Sequence, residues 1–363
     1  MPDQHNRYKR VWIFRVILFL IASYTSAAFY YSTLTPLILR YTLTILFPIS
    51  LLCCLFISKT ILRRISLSCL IVGFLIWYET DPPLNTRDWA EEYAIPAHVT
   101  FEGNNVHIFN IRHIRYKTVE HYTVYYTNAV FDPNTITSVD LIVSYWKGTA
   151  IAHVFLSFGF SDGRHLAISV ETRRQKTFSY SSIAGFFHHY ELFYVVADER
   201  DLIGVRTDIR KERVYLYPLK LSAPLRKQLF LNYLYAIQSL YDHPRWYNTL
   251  TTNCTTEILS NAHIPLLWRL HWRILLSGHA PSLAYTLGLL DQQIPFADLQ
   301  HHSLIYRPKK ATLDSPTYSN DIRYKTLFQF SETKTKYKNK TKCRLNWKTS
   351  PLNNMHTTTD KLA

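Results

Sequence analysis

The chain has little glycine and none of the usual cofactor-binding motifs. Only nine of its 363 residues are glycine, and they form no Gly-rich loop of the kind that cradles a nucleotide phosphate. The five cysteines include no CxxC pair, and the sixteen histidines include no HExxH motif. We therefore expect no cofactor and no metal site.

The central part of the chain also lacks a basic excess, although the formal net charge of the whole is +15. Residues 1–80 contain eight basic and two acidic side chains, residues 307–363 contain thirteen and four, and residues 81–306 contain twenty of each. A domain without basic excess cannot follow a phosphate backbone, which argues against nucleic-acid binding. The polar, Lys-rich tail 307–363 is expected to be disordered.

Three apolar stretches open the chain, namely Val11–Tyr31, Tyr41–Ser58 and Ile65–Tyr78. Since a helix needs about 20 residues to cross a bilayer, the third is expected to start within Ile61–Arg64. We interpret residues 1–80 as a multi-pass membrane segment.

Flanking charges predict the orientation of these spans. Basic clusters precede the first span and separate the second from the third, whereas only Arg40 lies between the first and second. The positive-inside rule then places the N-terminus in the cytoplasm and the following domain in the periplasm of a bacterial inner membrane. The alternative for the first stretch is a signal peptide cleaved near Ala27 and Ala28, which leaves the final orientation unchanged.

After a polar linker over 81–94, residues 95–306 indicate one α+β domain with a largely antiparallel sheet. Short runs rich in Val, Ile, Phe and Tyr predict eight strands: His98–Phe101, Val106–Ile111, Tyr122–Tyr126, Val139–Tyr145, Ile151–Phe160, His165–Thr172, Leu192–Val196 and Val214–Tyr217. Apolar residues at helical spacing after Ser222 predict a helix that packs in the core: Leu225, Leu229, Tyr233, Ile237 and either Leu240 or Tyr241.

The turn Ser161-Asp162-Gly163 predicts the register of a hairpin. If Gly163 is left-handed, Phe160 pairs with Arg164, and each cross-strand pair of residue numbers sums to 324. His153 then lies opposite Glu171, with Phe155, Ser157 and Ser169 beside them on the same face. A carboxylate in that position can orient an imidazole as the third member of a catalytic triad. The alternatives are a strand-end histidine bonded to backbone and a Glu171 paired with Arg173 or Arg174.

Cys254 is the only cysteine of the domain, since the others lie in the apolar N-terminal stretches or in the tail. Its surroundings, TTNCTTE, are unusually polar for a buried structural cysteine, which is the alternative interpretation. The run predicts a helix start with Asn253 or Cys254 at the cap, where free amides lower a thiol pKa and can stabilise an oxyanion. Tyr247 or Asn248 could add a further donor.

Several motifs between about Asn85 and Ile305 closely resemble the Lnb N-terminal periplasmic domain family. They read NTRDW, VHIFNIRHIRY, VDLIVSYW, IAHVFLSFGFSDGRHLAISVETRR, GFFHHYELFYVVADERDLIGVRT, VYLYPL, YNTLTTNCTTEI, LLSGHAP and PFADL. The family is similar to circularly permuted, NlpC-type papain-like cysteine enzymes, and its named member is an intramolecular acyltransferase of bacterial lipoproteins. The resemblance implies His153 as base and Cys254 as nucleophile.

Two features depart from that pattern. Residues 176–179 read KTFS, where relatives tend to have a Gly-Glu pair, and the apolar spans precede the domain, whereas the acyltransferase carries many spans after it. The identity of the substrate therefore does not carry over from the family.

These observations lead to one hypothesis and two alternatives. The hypothesis is a membrane-anchored cysteine acyltransferase or hydrolase that acts on an acyl ester of a membrane lipid or lipoprotein through a thioester on Cys254. The alternatives are a papain-like peptidase of peptidoglycan and a non-catalytic envelope scaffold. A peptidase needs an open polar groove, whereas an acyl enzyme needs an apolar slot.

The predicted topology can be tested with a reporter that is active only in the cytoplasm. Fused after Trp89, it should be silent, because three spans from a cytoplasmic N-terminus place that residue outside. The same reporter fused after Ser58, between the second and third spans, should be active. Activity after Trp89 would contradict both the orientation and the periplasmic location.

Overall fold

The computed structural model describes residues 2–307, 313 and 315–323, with side chains from Asn6 onward. This part of the chain divides into two compact units. The first contains residues 1–96, 170–194 and 236–253, and the second contains residues 97–169, 195–235 and the described residues from 254 onward.

The first unit begins with three long apolar helices. They are α1 (Pro2–Tyr30), α2 (Leu37–Cys53, extended by a 3-10 turn over Cys54–Phe56) and α3 (Thr60–Thr80). Each has the length and composition needed to cross a membrane, over Asn6–Tyr30, Leu37–Phe56 and Thr60–Thr80. This confirms the three predicted apolar helices, and the third begins one residue before the expected range. Their number of membrane crossings and their orientation stay predictions.

Aromatic side chains at the ends of these helices hold a later segment of the same unit. Phe187 packs in a buried cluster with Ala28, Phe29 and Phe74, and its ring stacks 5.5 Å from that of Tyr31. The neighbouring His188 stacks 3.9 Å from Tyr78 and 4.8 Å from Trp246, and His189 Nδ1 lies 2.7 Å from the Tyr31 carbonyl oxygen. The segment around Phe187 is therefore fixed to the helix ends.

The predicted polar linker is also packed rather than extended. Glu191 accepts hydrogen bonds from the Leu84 amide at 2.6 Å and from Arg87 at 3.1 Å. The buried Arg173 guanidinium donates to Asn85 Oδ1 and to the carbonyl oxygens of Tyr93 and Ala94. Two charged side chains thus replace the solvent around the linker backbone.

All eight predicted strands form, in one mixed sheet. They are β1 (His98–Glu102), β2 (Asn105–Tyr116), β3 (Tyr122–Phe131), β4 (Ile136–Tyr145), β5 (His153–Phe160), β6 (His165–Arg173), β7 (Glu191–Ala197) and β8 (Arg213–Pro218). The order is β1-β2-β7-β6-β5-β4-β8, and β3 also pairs with β2. Five ladders are antiparallel, namely β1 with β2, β2 with β3, β4 with β5, β4 with β8 and β5 with β6, and the one between β2 and β7 is parallel. Apolar helices followed by a domain of sheet and helices are as predicted.

The hairpin between β5 and β6 has the predicted register. Leu156 pairs with Ile168 and Phe158 with Leu166, and the Phe160 amide donates to the Arg164 carbonyl oxygen at 2.9 Å. Gly163 closes the turn with φ +83°, a conformation in which a side chain is strained. A single glycine therefore sets which side chains share a face with His153.

Eight further helices complete the described chain. They are α4 (Glu199–Leu202), α5 (Ala223–Asp242), α6 (Cys254–Asn261), α7 (Leu266–Arg269), α8 (Trp272–Leu275), α9 (Ala280–Thr286), α10 (Phe296–Ser303) and α11 (Tyr318–Asp321). In α5 the predicted stripe is right for Tyr233, Ile237 and Leu240, which are buried, and wrong for Leu225, which is exposed. Leu229 is partly buried, and Phe230 and Leu234 are buried beside the predicted stripe, so the buried face is wider than predicted.

The predicted disordered tail has an ordered beginning. Tyr318 and Ile322 are buried, and Arg323 donates to Glu199 at 2.6 and 2.9 Å and to Asp140 at 2.6 Å. Both carboxylates are buried, so they need this cation. Residues 308–312, 314 and 324–363 lie outside the described part of the chain, and the prediction for them is untested.

We expect Arg323→Met to lower the free energy of unfolding by about 3–5 kcal/mol, because two buried carboxylates lose their cation. Burial alone raises the pKa of Glu199, but the charge and hydrogen bonds of Arg323 outweigh it and lower that pKa to about 2. The contribution of Glu199 is therefore complete above its ordinary pKa of about 4.3 and is lost as the pH falls towards 2, whereas burial raises the pKa of Asp140 in spite of the same arginine. Thermal unfolding of the full chain in detergent, followed by circular dichroism, measures both effects.

Arg210→Met is the matched control, since Arg210 is exposed and lies 4.0 Å from its partner Glu212. That variant should change stability by less than about 1 kcal/mol. Equal unfolding temperatures for the two variants would show that the Arg323 cluster is not stabilising.

Candidate functional site

Cys254 is the first residue of α6, as the sequence predicted. Its side chain is partly exposed, whereas the next three residues, Thr255, Thr256 and Glu257, are buried. The amides of a first helical turn have no partner within the helix and carry the positive end of the helix dipole. A thiolate at this position is favoured, and so is an oxyanion formed next to it.

His153 is the first residue of β5 and has a hydroxyl partner on the neighbouring strand. Its Nε2 atom lies 2.6 Å from Oγ of Ser169, which is fully buried in β6. The sequence placed Ser169 beside His153 on the same face but gave the orienting role to Glu171. The structure thus places a hydroxyl against the imidazole from a position that the hairpin register already put on the same face.

The end of α8 and the two residues after it link the start of α6 to the segment before β5 within the second unit. Ser277 Oγ accepts from the Ala152 amide at 3.0 Å and donates to the Ala152 carbonyl oxygen at 2.6 Å. Thr255 Oγ1 donates to the Ile274 carbonyl oxygen at 2.9 Å. Residues 274–277 therefore bind both the residue after Cys254 and the residue before His153, and α6 packs against β5.

Gly278 is required for this arrangement. Its amide donates to the Ala150 carbonyl oxygen at 3.0 Å, and its own carbonyl oxygen accepts from Tyr145 Oη at 2.6 Å. A Cβ atom at this position would lie 2.0 Å from the Thr149 carbonyl oxygen, so a side chain would displace backbone. This contact explains the glycine of the LLSGHAP motif.

An apolar cavity of about 410 Å³ is lined by Val154 and Thr255, which directly follow His153 and Cys254 in the chain. Because side chains alternate along a strand, the wall formed by Val154 and Leu156 is on the face of β5 opposite His153. Leucine, isoleucine and alanine side chains form most of the remaining wall, from β5, α6, α9 and the segments around them. The cavity can therefore hold a hydrocarbon chain but offers few partners to a peptide.

Tyr233 is a buried phenol that the sequence assigned to the core alone. Burial raises its pKa, and the negative charges of Glu257 and Cys254 raise it further, so the hydroxyl stays protonated. Tyr233 is fully buried, so it has the core position that the sequence predicted.

The predicted oxyanion residues lie in the first unit, in the loop before Cys254. Asn248 Oδ1 accepts from the amides of Leu250 and Thr251 at 2.9 and 3.2 Å, and Asn253 Nδ2 donates to the Thr249 carbonyl oxygen at 2.7 Å. Tyr247 donates its amide to the Tyr190 carbonyl oxygen at 2.9 Å. These contacts shape the loop, and the proposed contribution of the three side chains to an oxyanion stays a prediction.

Glu171 is half-buried and also belongs to the first unit. The two arginines considered as its partners have other contacts: Arg173 binds the linker and Arg174 donates to Glu92 at 2.8 Å. The orienting role of Glu171 stays a prediction. No group of three or more His, Cys, Asp or Glu side chains that could hold a metal ion occurs among the described residues.

A comparison with protein families finds a match to the central part of the chain. Residues 122–276 match the model of the Lnb N-terminal periplasmic domain. This stretch resembles that family. It contains His153, Ser169 and Cys254, and the match confirms the resemblance read from the motifs. Comparisons with curated proteins and with solved structures found no match.

The Lnb-type domain and the three apolar helices fit a membrane-associated envelope protein of the inner membrane with a periplasmic domain.

We expect Cys254 to be alkylated by iodoacetamide at neutral pH faster than in the unfolded chain, because the helix N-terminus and an imidazole favour the thiolate. His153→Ala should remove the enhancement. Ser169→Ala and Glu171→Gln should weaken it less, because an orienting group assists the imidazole without taking the proton. Peptide mass spectrometry separates Cys254 from the other cysteines.

Gly278→Ala should slow the same reaction, because it displaces the backbone that leads into His153. Gly73→Ala in α3, where an added Cβ meets nothing within 4 Å, is the control and should leave the rate unchanged. Reaction of Cys254 only after denaturation would favour the alternative of a buried structural cysteine.

Proposed function

We propose that the protein is a cysteine-dependent acyltransferase or hydrolase that acts on an acyl ester of a membrane lipid or lipoprotein. The observation that carries this proposal is the apolar cavity that starts at the neighbours of Cys254 and His153. An apolar slot lined by the residue that follows the nucleophile is suited to a carboxylic ester with a long acyl chain. The cavity volume lies within the roughly 300–1,000 Å³ typical of small-molecule pockets.

The chemistry follows from the two ends of the site. His153 takes the proton of the Cys254 thiol, and the sulfur attacks the ester carbonyl carbon. The amides of the first turn of α6 stabilise the tetrahedral oxyanion. Collapse breaks the ester C–O bond, the imidazolium returns its proton to the leaving alcohol, and a thioester forms on Cys254. An amine or water then attacks the thioester and regenerates the thiol.

Ser169 supports a particular tautomer of the base. If Nε2 donates to Ser169 Oγ, the Nδ1 atom carries the lone pair that accepts the thiol proton. In this proposal Ser169 orients the ring and Glu171 stabilises the imidazolium. The histidine precedes the cysteine in the chain, as it does in a circularly permuted papain-like fold. We include that fold in the proposal.

The membrane helices support the choice of a lipidic substrate. Three helices able to cross a bilayer keep the domain close to its surface, where lipids and lipoproteins present their esters. A wall-polymer peptidase would instead need an open polar groove, and the lining of the cavity is apolar. The peptidase and the scaffold are the alternatives that an experiment with labelled esters distinguishes from this proposal.

In proteoliposomes that contain phospholipid or lipoprotein with labelled ester chains, the wild-type protein should trap label on the Cys254 peptide or release it. Cys254→Ser and His153→Ala should do neither. Cleavage of purified peptidoglycan fragments with no effect on lipid esters would replace this proposal by the peptidase. Unchanged function of Cys254→Ala in cells would favour the scaffold.

Ala284→Phe tests the role of the cavity itself, since this buried alanine lines its wall. The larger ring should lower the rate with long-chain esters by about tenfold or more and leave short-chain esters nearly unaffected, because only the long chains need the filled space. The short-chain rate also reports whether the variant is folded. An equal loss of rate for both chain lengths would show that the cavity does not bind the acyl chain of the substrate.

A further inference from the structure

The segment 266–276, with the sequence LLWRLHWRILL, exposes more apolar surface than a soluble domain normally leaves uncovered. Leu267 is 85% exposed, the highest value among the large apolar side chains in the described part of the second unit. Five neighbours in the same segment are also exposed: Leu266, Trp268, Leu270, Trp272 and Leu276. A contiguous patch of this kind marks an interaction site.

The exposure is built into the fold. Arg269 donates to the Ile264 carbonyl oxygen at 2.8 Å and to Ser260 Oγ at 3.1 Å, which ties α7 to the end of α6. Ile274 is buried, and the His271 side chain caps α8 by accepting from the Arg273 amide. The segment is thus held with its leucine and tryptophan side chains outward.

The charge of this region is of one sign. Between Glu257 and Asp291 the sequence contains no carboxylate side chain, whereas it contains two arginines and three histidines. Arg269 and Arg273 lie within the segment, and the Arg273 guanidinium lies 5.3 Å from the Trp272 ring centre. Leucine, tryptophan and arginine together are the composition of elements that lie at the surface of an anionic bilayer.

The patch is continuous with the apolar cavity. Trp268 is 54% exposed and also lines the cavity, and the exposed Leu287 and Leu289 do the same from the far side of α9. An apolar path therefore leads from the exposed segment to Thr255 and Val154, the neighbours of the candidate catalytic residues. An acyl chain can follow this path without crossing a polar rim.

We propose that residues 266–276 dip into the headgroup region of the outer leaflet of the chain's own membrane and admit a lipid acyl chain to the cavity. The occupant is the surface of a phospholipid bilayer, selected by leucine and tryptophan insertion and by the two arginines. The admission of a substrate chain rests on the proposed function. The contact with lipid does not.

Photo-crosslinking of the full-length protein in bilayer nanodiscs of phosphatidylethanolamine and phosphatidylglycerol tests the contact. A photoreactive amino acid at Leu267 should yield lipid adducts by mass spectrometry. The same residue at Tyr235, which is 56% exposed on α5, is the control and should yield none. Absence of lipid adducts at position 267, or adducts to a second copy of the chain in their place, overturns the proposal.

A second measurement tests the path to the cavity with the variant Leu267→Ser/Trp272→Ser. It should raise KM for a bilayer-presented ester at least about tenfold and leave unchanged the rate at which iodoacetamide alkylates Cys254. A slower alkylation would mean that the fold has changed, and the crosslink at Leu267 then decides alone. Lipid adducts without any ester turnover would uphold the bilayer contact and remove the proposed function. An unchanged KM would overturn the path.

Discussion

The approach of Gly278 to the backbone of Thr149 and Ala150 is the constraint on which the site depends. Only a residue without a Cβ atom allows the peptide at 277–278 to reach the segment 149–152 that leads into β5 and His153. That approach places Ser277 where one hydroxyl satisfies both backbone groups of Ala152. The same segment accepts the Thr255 hydroxyl, so the start of α6 and the start of β5 share one rigid support. A change at this glycine acts on the base and the nucleophile together.

The sheet and its register could be predicted from the sequence because they depend on local patterns. Alternating apolar residues indicate strands, and Gly163 sets the pairing of β5 with β6. That pairing alone places Ser169 on the same face as His153. The helix start at Cys254 followed from its polar neighbours. The supports at Ser277 and Gly278 could not be predicted, because they join positions more than a hundred residues apart outside the regular strands. The bond from Thr255 to Ile274 spans only 19 residues, but it joins two short helices and leaves no periodic pattern.

The charge pairing of the described part of the tail could not be predicted for a related reason. A count of charges treats every lysine and arginine as solvated, but Arg323 is paired with two carboxylates that the sheet buries. Arg112 likewise binds the buried Asp201 with two hydrogen bonds of 2.9 and 2.8 Å. The zero net charge of residues 81–306 therefore includes ion pairs inside the protein. Burying each charge costs free energy of desolvation, and removing one partner leaves the other charge buried without compensation. Composition reports their sum and not their location.

Attachment to a membrane lowers the affinity for a lipid that the apolar segment and the cavity need to provide. A free soluble enzyme must gain enough energy from its pocket to extract a lipid from a bilayer, at roughly 0.8 kcal/mol per buried methylene. A domain joined to helices that can cross the bilayer meets its substrate at a high effective concentration, so modest affinity is sufficient. Tight binding of the acyl chain would in fact slow release of the product. A cavity open to the surface along Trp268 and Leu287, rather than closed around its ligand, fits that requirement.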